Sequence, residues 1–264
     1  MASNGTPNQG TSGAGLPLFY TDLAPLSSEL HADWRMHDTD RLPALRTTHA
    51  VPLLAEEFLS AQRFYPIVFS TGPDPVPLAL MGLSDGINVV VDADGRFPAD
   101  YYVPAYVRRY PFLLAKLRQD SDDMSLCFDP GSGLCGPFED GEPVFDGDQP
   151  SAHTRAILEF CDKFEQALEL TGALVRELGE LKLIGDGEFT MQQGEGRQPH
   201  VYRGFQMITD EAVKGLRGDV ARKLIQNGAL PLVYAHIFSL QRMSDIYARQ
   251  SALGLLPPPN GPVV

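Results

Sequence analysis

The chain has 264 residues, of which 43% are hydrophobic, and it carries a formal net charge of −13 at pH 7. A chain of this length can bury a core of its own, because single domains extend to about 250 residues. Its acidic surface repels phosphate backbones and anionic lipid headgroups, so we expect no nucleic-acid binding.

The two ends of the chain have compositions that oppose folding. Residues 1–16 consist almost entirely of small and polar residues, which predicts a disordered tail, and residues 251–264 form a Pro-rich, extended tail. The N-terminal stretch lacks the basic and apolar regions of a signal peptide. No run reaches the roughly 18 apolar residues of a spanning helix. We therefore expect no membrane insertion and a cytoplasmic location.

The first part of the chain, residues 17 to 148, is rich in Pro, Gly and β-forming residues. Its pattern predicts a short helix and a set of short strands around tight turns. The helix is expected over residues 53–62. The strands are expected over residues 65–70, 76–82, 87–92, 124–129 and 141–145, the first three as an antiparallel meander.

The second part, from residue 151, is mainly helical. Apolar residues recur at steps of three and four up to Leu178, which predicts a long amphipathic helix that Ser151 caps and Gly179 ends. Strands are then expected over residues 181–184, 188–192 and 200–207, and further helices begin at Thr209 and Asp219. The last helix is expected over residues 229–248.

Together these elements predict one α+β domain over residues 17–250. An antiparallel meander of short strands packs with helices, the C-terminal part is mainly helical, and Pro-rich loops are irregular.

The three cysteines, Cys127, Cys135 and Cys161, are odd in number and have no regular spacing. A disulfide framework needs an even number, and structural zinc sites have closer pairs. We expect free thiols.

The segment YVPAYVRRYPF, residues 102–112, is the strongest candidate for a binding site. It combines two prolines with two arginines and three tyrosines, namely Arg108, Arg109, Tyr102, Tyr106 and Tyr110. An arginine flanked by tyrosines can bind a carboxylate or a peptide terminus through two hydrogen bonds. Alternatively, the arginines neutralise buried carboxylates such as Asp92 or Asp94 and hold an irregular loop in place.

Histidines provide a weaker set of candidates. His236 follows Tyr234-Ala235 in the last predicted helix, where it is either a core residue or a site residue that adds to the binding segment. His31-x-Asp33 matches part of the ligand set of non-haem iron, with His153, His200 or His236 as the third ligand.

Motifs for other chemistries are missing from the sequence. Asp92-x-Asp94-Gly95 has Val103 where a calcium loop needs glutamate, and it is better explained as a turn. No serine-hydrolase elbow, P-loop or dinucleotide fingerprint occurs. We therefore predict no cofactor.

Several runs, taken in order, resemble the SapC family of bacterial proteins. They are Tyr65-Pro66-Ile67-Val68-Phe69, Val91-Asp92-Ala93-Asp94-Gly95-Arg96-Phe97, the segment 102–112, Cys127-Phe128-Asp129 and Tyr234-Ala235-His236. The resemblance extends over residues 17 to 250, and Phe97 stands where tryptophan is more usual. It implies a bacterial accessory protein, and it brings no established catalytic residues.

Two hypotheses for the function follow. The first is a non-catalytic accessory or binding protein for a peptide or protein partner. The second is an enzyme with an unrecognised site, metal-dependent in the manner of non-haem iron, that uses His31, Asp33, His200 or His236. Metal analysis of the purified protein distinguishes the two.

Overall fold

The structure is a computed structural model, and it describes residues 16–117, 123–192 and 199–256. It combines helices with antiparallel strands in open sheets, which confirms the predicted α+β class. The predicted tails, residues 1–16 and 251–264, lie largely outside the described residues. None of the helices in the described ranges is long and apolar enough to cross a bilayer.

The strands are short throughout the described chain. They are β1 (Ala24–Pro25), β2 (Arg35–Met36), β3 (Ala50–Pro52), β4 (Ile67–Phe69), β5 (Pro77–Leu80), β6 (Phe112–Lys116), β7 (Met124–Phe128), β8 (Cys135–Gly136), β9 (Glu142–Pro143), β10 (Phe145–Asp146), β11 (Gln149–Pro150), β12 (Ile184–Asp186), β13 (Phe189–Met191), β14 (His200–Tyr202) and β15 (Gln206–Ile208).

One helix is long and the others have two to three turns or fewer. They are α1 (Ser28–His31), α2 (Phe58–Ala61), α3 (Ala105–Arg108), α4 (Ala152–Glu180), α5 (Asp210–Lys214), α6 (Gly218–Gln226), α7 (Ala229–Ser239) and α8 (Met243–Ala252). Short 3₁₀ helices occupy Pro43–Thr47, Ala55–Glu57, Pro130–Ser132 and Leu240–Arg242.

The chain divides into two compact units, and each unit is assembled from two separate stretches. The first unit contains the residues up to His37 together with Tyr110–His153. The second contains Asp38–Arg109 and the residues from Thr154 onward. Whether the whole chain folds as one domain stays a prediction.

The first unit contains three small antiparallel sheets in the described residues, with strand orders β1-β7-β6, β8-β2-β9 and β10-β11. Asp129 follows β7 directly and is fully buried. Its carboxylate accepts hydrogen bonds from the backbone N–H groups of Thr21, Asp22 and Gly131, and from the hydroxyls of Thr21 and Tyr110. A single side chain thus fastens the start of the described chain to the end of β7.

The second unit contains a five-stranded antiparallel sheet with the order β12-β15-β4-β5-β3. Its central strand, β4, is apolar at every position from Ile67 to Phe69 and is essentially inaccessible to solvent. Pro52 is tolerated in β3 because that strand lies at the sheet edge, where a missing N–H breaks no ladder. The sheet presents its strand ends, and the β4–β5 turn, to the site described below.

Helix α4 buries one stripe of side chains at three- and four-residue steps, as the sequence predicts. The buried members are Thr154, Cys161, Phe164, Ala167, Thr171, Val175 and Leu178. Thr171 accepts a hydrogen bond from the N–H of Ala55 (2.9 Å) and donates one to the carbonyl of Ala167 (2.7 Å). These bonds join the helix to the segment that follows β3.

The predicted strand over residues 87–92 is wrong. The side chain of Asn88 takes the place of a partner strand: its amide donates to the carbonyls of Leu45 (2.9 Å) and Thr48 (3.0 Å). Its oxygen accepts from the N–H groups of Val90 and Val91. The third strand of the meander is instead β3, which pairs with β5.

Several other predicted elements have different bounds, among them the strand expected over residues 181–184, where β12 begins only at Ile184. The expected strand over residues 200–207 is divided into β14 and β15 near Gly204, which has a φ of +94° that few other residues adopt. The expected last helix is likewise interrupted by the 3₁₀ turn Leu240–Arg242, and α8 continues to Ala252.

Candidate functional site

The segment that carries Arg108 and Arg109 is helical from Ala105 to Arg108. Pro104 precedes α3, and its ring fixes the backbone φ angle at the start of the helix. Arg109 ends the helix. Successive helical residues are rotated by about 100°, so neighbouring side chains point in different directions. Arg109 is buried at 8% exposure, whereas Arg108 is exposed.

The Arg109 guanidinium is held between two aromatic rings. Its carbon lies 4.5 Å from the ring centre of Tyr106 and 4.2 Å from that of Phe164. One nitrogen lies 3.4 Å from the carboxylate of Glu165 on α4. Burial raises the pKa of Glu165, and the nearby guanidinium offsets part of that rise. Arg109 is therefore a rigid cation among apolar walls.

The sequence suggested Asp92 or Asp94 as partners of Arg108 and Arg109, but these carboxylates make other contacts. Asp94 forms an ion pair with Arg96 (3.8 Å), and Asp92 accepts hydrogen bonds from the backbone N–H groups of Asp94 and Arg96. Backbone hydrogen bonding lowers the pKa of Asp92. These carboxylates stabilise a turn.

Arg108 and Tyr102 lie on the outside of the same segment. The Arg108 guanidinium lies over the rings of Phe160 (5.2 Å) and Tyr102 (5.9 Å), and its Nε donates to the carbonyl of Val103 (3.1 Å). These contacts brace α3 from the solvent side.

Glu57 is a buried residue beside α3 that the sequence analysis missed. It is 3% exposed, and its carboxylate accepts hydrogen bonds from the Tyr102 hydroxyl (2.8 Å) and from the backbone N–H groups of Leu54 (2.8 Å) and Ala105 (2.7 Å). The pKa of Tyr102 is raised to about 12, first by burial and second by the neighbouring Glu57 carboxylate. A glutamate three residues after a 3₁₀-helix cap, Leu54, was the available clue.

A small apolar cavity of about 230 Å³ lies beside Arg109. Its walls come from β3 and the residues after it, from the β4–β5 turn, from α3 and from α4. The lining residues are Pro52, Leu53, Leu54, Pro75, Val76, Pro77, Tyr106, Arg109, Phe164, Leu168, Thr171, Gly172 and Val175. Among these described residues Arg109 supplies the only charge, and the Thr171 hydroxyl makes the hydrogen bonds given above.

A second, wider cavity of about 470 Å³ continues from the first along α4. Both are lined by Pro75, Val76, Gly172 and Val175. The second adds Gly72, Pro73, Asp74, Arg176, Gly179, Glu180, Ile184 and Gln206. We call the two cavities together the α4 groove, with an inner part beside Arg109 and an outer part beside Gly179.

Two glycines open the helical wall of the groove. Leu168, Gly172, Val175 and Gly179 follow one another at steps of four, three and four, and so share a face of α4. A Cβ atom on Gly179 would meet nothing within 4 Å, and one on Gly172 would meet only the flexible end of Arg176, at 3.3 Å. Glycine inside a helix costs about 1 kcal/mol relative to alanine. No described neighbour requires it at either position.

Tyr110 and His236, which the sequence also suggested as binding residues, do not line either cavity. Tyr110 belongs to the first unit and donates to Asp129 (3.1 Å). His236 is fully buried in α7, and its Nε2 accepts from the N–H of Ile208 (2.9 Å). Burial lowers the pKa of His236 to about 4, so the ring is neutral at physiological pH.

The suggested metal ligands do not form a site in the described residues. His31 is buried against Trp34, its Nδ1 accepts from the N–H of Ser27 (3.1 Å), and Asp33 is exposed. His200 lies against Tyr247. Across residues 16–117, 123–192 and 199–256, no three His, Cys, Asp or Glu side chains come together in a way that could hold a metal ion.

The cysteines are buried, free thiols. Burial raises the pKa of Cys127, and it raises the pKa values of Cys135 and Cys161 to about 11. Nucleophilic cysteines need the opposite shift, because the thiolate is the reactive form. None of the three is suited to nucleophilic catalysis.

A model of the SapC family matches residues 26–246, most of the chain, which confirms the resemblance seen in the sequence. No curated protein and no solved structure matches.

Proposed function

This chain belongs to the SapC family, and we propose from its geometry that it is a non-catalytic binding protein. The ligand is a peptide segment of a partner protein, and it occupies the α4 groove. The observation that carries the proposal is the inner part of the groove, an apolar cavity with one rigid cation in its wall.

The division of the groove into two parts suits an extended ligand. The inner part, with about 230 Å³, is smaller than most small-molecule sites, which have about 300–1,000 Å³, whereas the outer part, with about 470 Å³, lies within that range. The inner part suits one apolar side chain. The groove continues into the outer part, as expected for a ligand that extends along the surface.

The predicted binding residues take different parts in this function. Tyr106 and Arg109 line the groove and contact the ligand, and a guanidinium is well suited to orient a peptide carbonyl or carboxylate. Tyr102 and Arg108 hold α3 in position through Glu57 and Phe160. Tyr110 and His236 have structural roles.

Selection from a library of displayed random peptides tests the proposal. The full chain is the bait, and Gly172→Leu is the blocked variant, because Gly172 lines both parts of the groove. The matched control is Ala173→Leu, which adds the same side chain to an exposed position of the same helix outside the groove.

We expect the wild type and the control to enrich the same peptides. Gly172→Leu should weaken their binding by about 10- to 100-fold, since burial of one large apolar side chain contributes ~1.5–3 kcal/mol. No enrichment, or equal binding by all three proteins, contradicts the proposal.

The alternative hypothesis, an enzyme with a metal-dependent site, is tested by elemental analysis. Stoichiometric iron or zinc in the purified full chain would favour it and would direct attention to residues outside the described ranges.

A further inference from the structure

The two parts of the α4 groove differ in chemistry. The inner part is lined by apolar side chains around Arg109. The outer part is lined by two carboxylates, Asp74 and Glu180, and by one guanidinium, Arg176. A ligand that occupies both must therefore present an apolar group at one point and a polar group at another.

The outer part contains a hydrogen-bond acceptor without a partner in the described part of the chain. Gln206 lines it, and the buried Oε1 atom of this side chain has no hydrogen-bond partner among the described residues. An unpaired buried acceptor is unfavourable, so the position suits a ligand that donates a hydrogen bond. With two carboxylates against one guanidinium, the local charge is also negative.

The charge of the whole chain acts in the same direction. The net charge is −13, and such a field favours the approach of cationic partners over anionic ones. Charge complementarity thus selects a lysine or an arginine for the outer part.

The distance between the two parts sets the spacing of the ligand groups. The inner part contacts α4 from Phe164 to Val175, and the outer part contacts it from Gly172 to Glu180. The midpoints of these stretches are six to seven residues apart, which corresponds to roughly 10 Å along a helix. A polyproline II segment places residues i and i+3 on the same side, about 9 Å apart.

We propose that the α4 groove binds an extended, polyproline II-like segment of another protein that carries an apolar residue and, three positions away, a lysine or arginine. This inference rests on the proposed function. The walls agree with it, because prolines and aromatic rings (Pro52, Pro75, Pro77, Tyr106 and Phe164) form the kind of surface on which such segments dock.

Fluorescence anisotropy with short synthetic peptides tests the inference on the full chain. The probe is fluorescein-labelled GPLPPKPG, together with GPKPPLPG for the opposite chain direction. The comparison peptides replace the lysine by alanine or by glutamate, or the leucine by serine.

We expect the lysine peptide, in one direction, to bind about three- to fivefold more tightly than its alanine counterpart, as for an exposed charge pair. The glutamate peptide should bind more weakly than the alanine peptide, and the preference should diminish as the salt concentration rises. Serine in place of leucine should abolish measurable binding.

Gly179→Leu separates this inference from the proposed function, because Gly179 lines only the outer part and its Cβ has open space. The variant should lose the preference for lysine and keep the dependence on leucine. Leucine-dependent binding without a lysine preference in the wild type overturns the inference and leaves the proposed function in place. If neither the probes nor the displayed library bind, the proposed function itself is wrong.

Discussion

Two buried carboxylates organise the backbone around them, one in each unit. Glu57 gathers the Tyr102 hydroxyl and the N–H groups of Leu54 and Ala105, and Asp129 gathers five donors. Burial of a carboxylate is unfavourable unless its oxygens are hydrogen-bonded, and here they are. Neither residue follows from hydropathy, because both are charged residues in short irregular stretches.

Asp129→Asn should reduce the free energy of unfolding by about 2–4 kcal/mol at neutral pH, since an amide nitrogen then faces backbone donors. Burial alone would raise the pKa of Asp129, but hydrogen bonds from Thr21, Gly131 and Tyr110 outweigh it, and the pKa is lowered. The stabilisation is therefore present above about pH 4, the value for an unfolded chain, and is lost as the pH falls through the folded pKa. Urea unfolding of both proteins from pH 7 to pH 3 measures it. A difference that does not shrink in acid contradicts the prediction.

Arg108 and Arg109 should respond differently to alanine. Arg109→Ala removes a buried cation from between two rings and leaves Glu165, which is 33% exposed, without that charge. We expect a loss of about 3 kcal/mol, the lower end for a broken buried pair, because Glu165 is partly solvated. Arg108→Ala, the matched control, should cost less than about 1 kcal/mol, since its ring contacts are exposed. Denaturant unfolding of both variants decides the matter, and equal losses would show that both arginines are structural.

At the scale of elements, the long helix α4 was predictable and the irregular segments were not. A stripe of apolar residues at helical spacing identifies both the helix and its buried face. The segment 87–92 has the apolar content of a strand. Its backbone is nevertheless held by the Asn88 side chain, which makes four hydrogen bonds with backbone groups in place of those that a partner strand would make. Side-chain to backbone bonds between distant residues leave no periodic trace in the sequence.

Asn88→Asp should destabilise the fold by about 2–3 kcal/mol. The substitution keeps size and shape but removes the two N–H donations to Leu45 and Thr48, and it places a carboxylate beside their carbonyls. Thermal and urea unfolding measure the change. A loss below about 0.5 kcal/mol would mean that water replaces the amide without cost.

At the scale of the whole molecule, the net charge of −13 determines what the surface can approach. We expect no binding to duplex DNA or to anionic vesicles at physiological salt, because neither Arg108-Arg109 nor the group Arg217, Arg222 and Lys223 outweighs the acidic field. Anisotropy with labelled DNA and sedimentation with phosphatidylserine vesicles test this. Salt-sensitive micromolar binding to either would contradict it.

The α4 groove could be predicted only in part. The sequence drew attention to Tyr106 and Arg109 because they stand in a segment dense in Tyr, Arg and Pro. It indicated Gly179 only as the end of the long helix, and it gave no indication of Gly172. The groove is assembled from stretches about 100 residues apart, and only the fold brings them together. Its depth depends on Gly172 and Gly179, because a glycine has no side chain that would fill the groove.

The division of the chain into interleaved units has a consequence for its synthesis. The first unit needs both the residues up to His37 and those from Tyr110 to His153, and the second unit begins before that unit is complete and ends after it. During translation, neither unit can close before the ribosome has passed residue 153. This protein therefore cannot follow the common order in which an N-terminal domain folds first. Residues 16–37 must remain without their partners in the first unit until residue 153, more than a hundred positions later, has been synthesised.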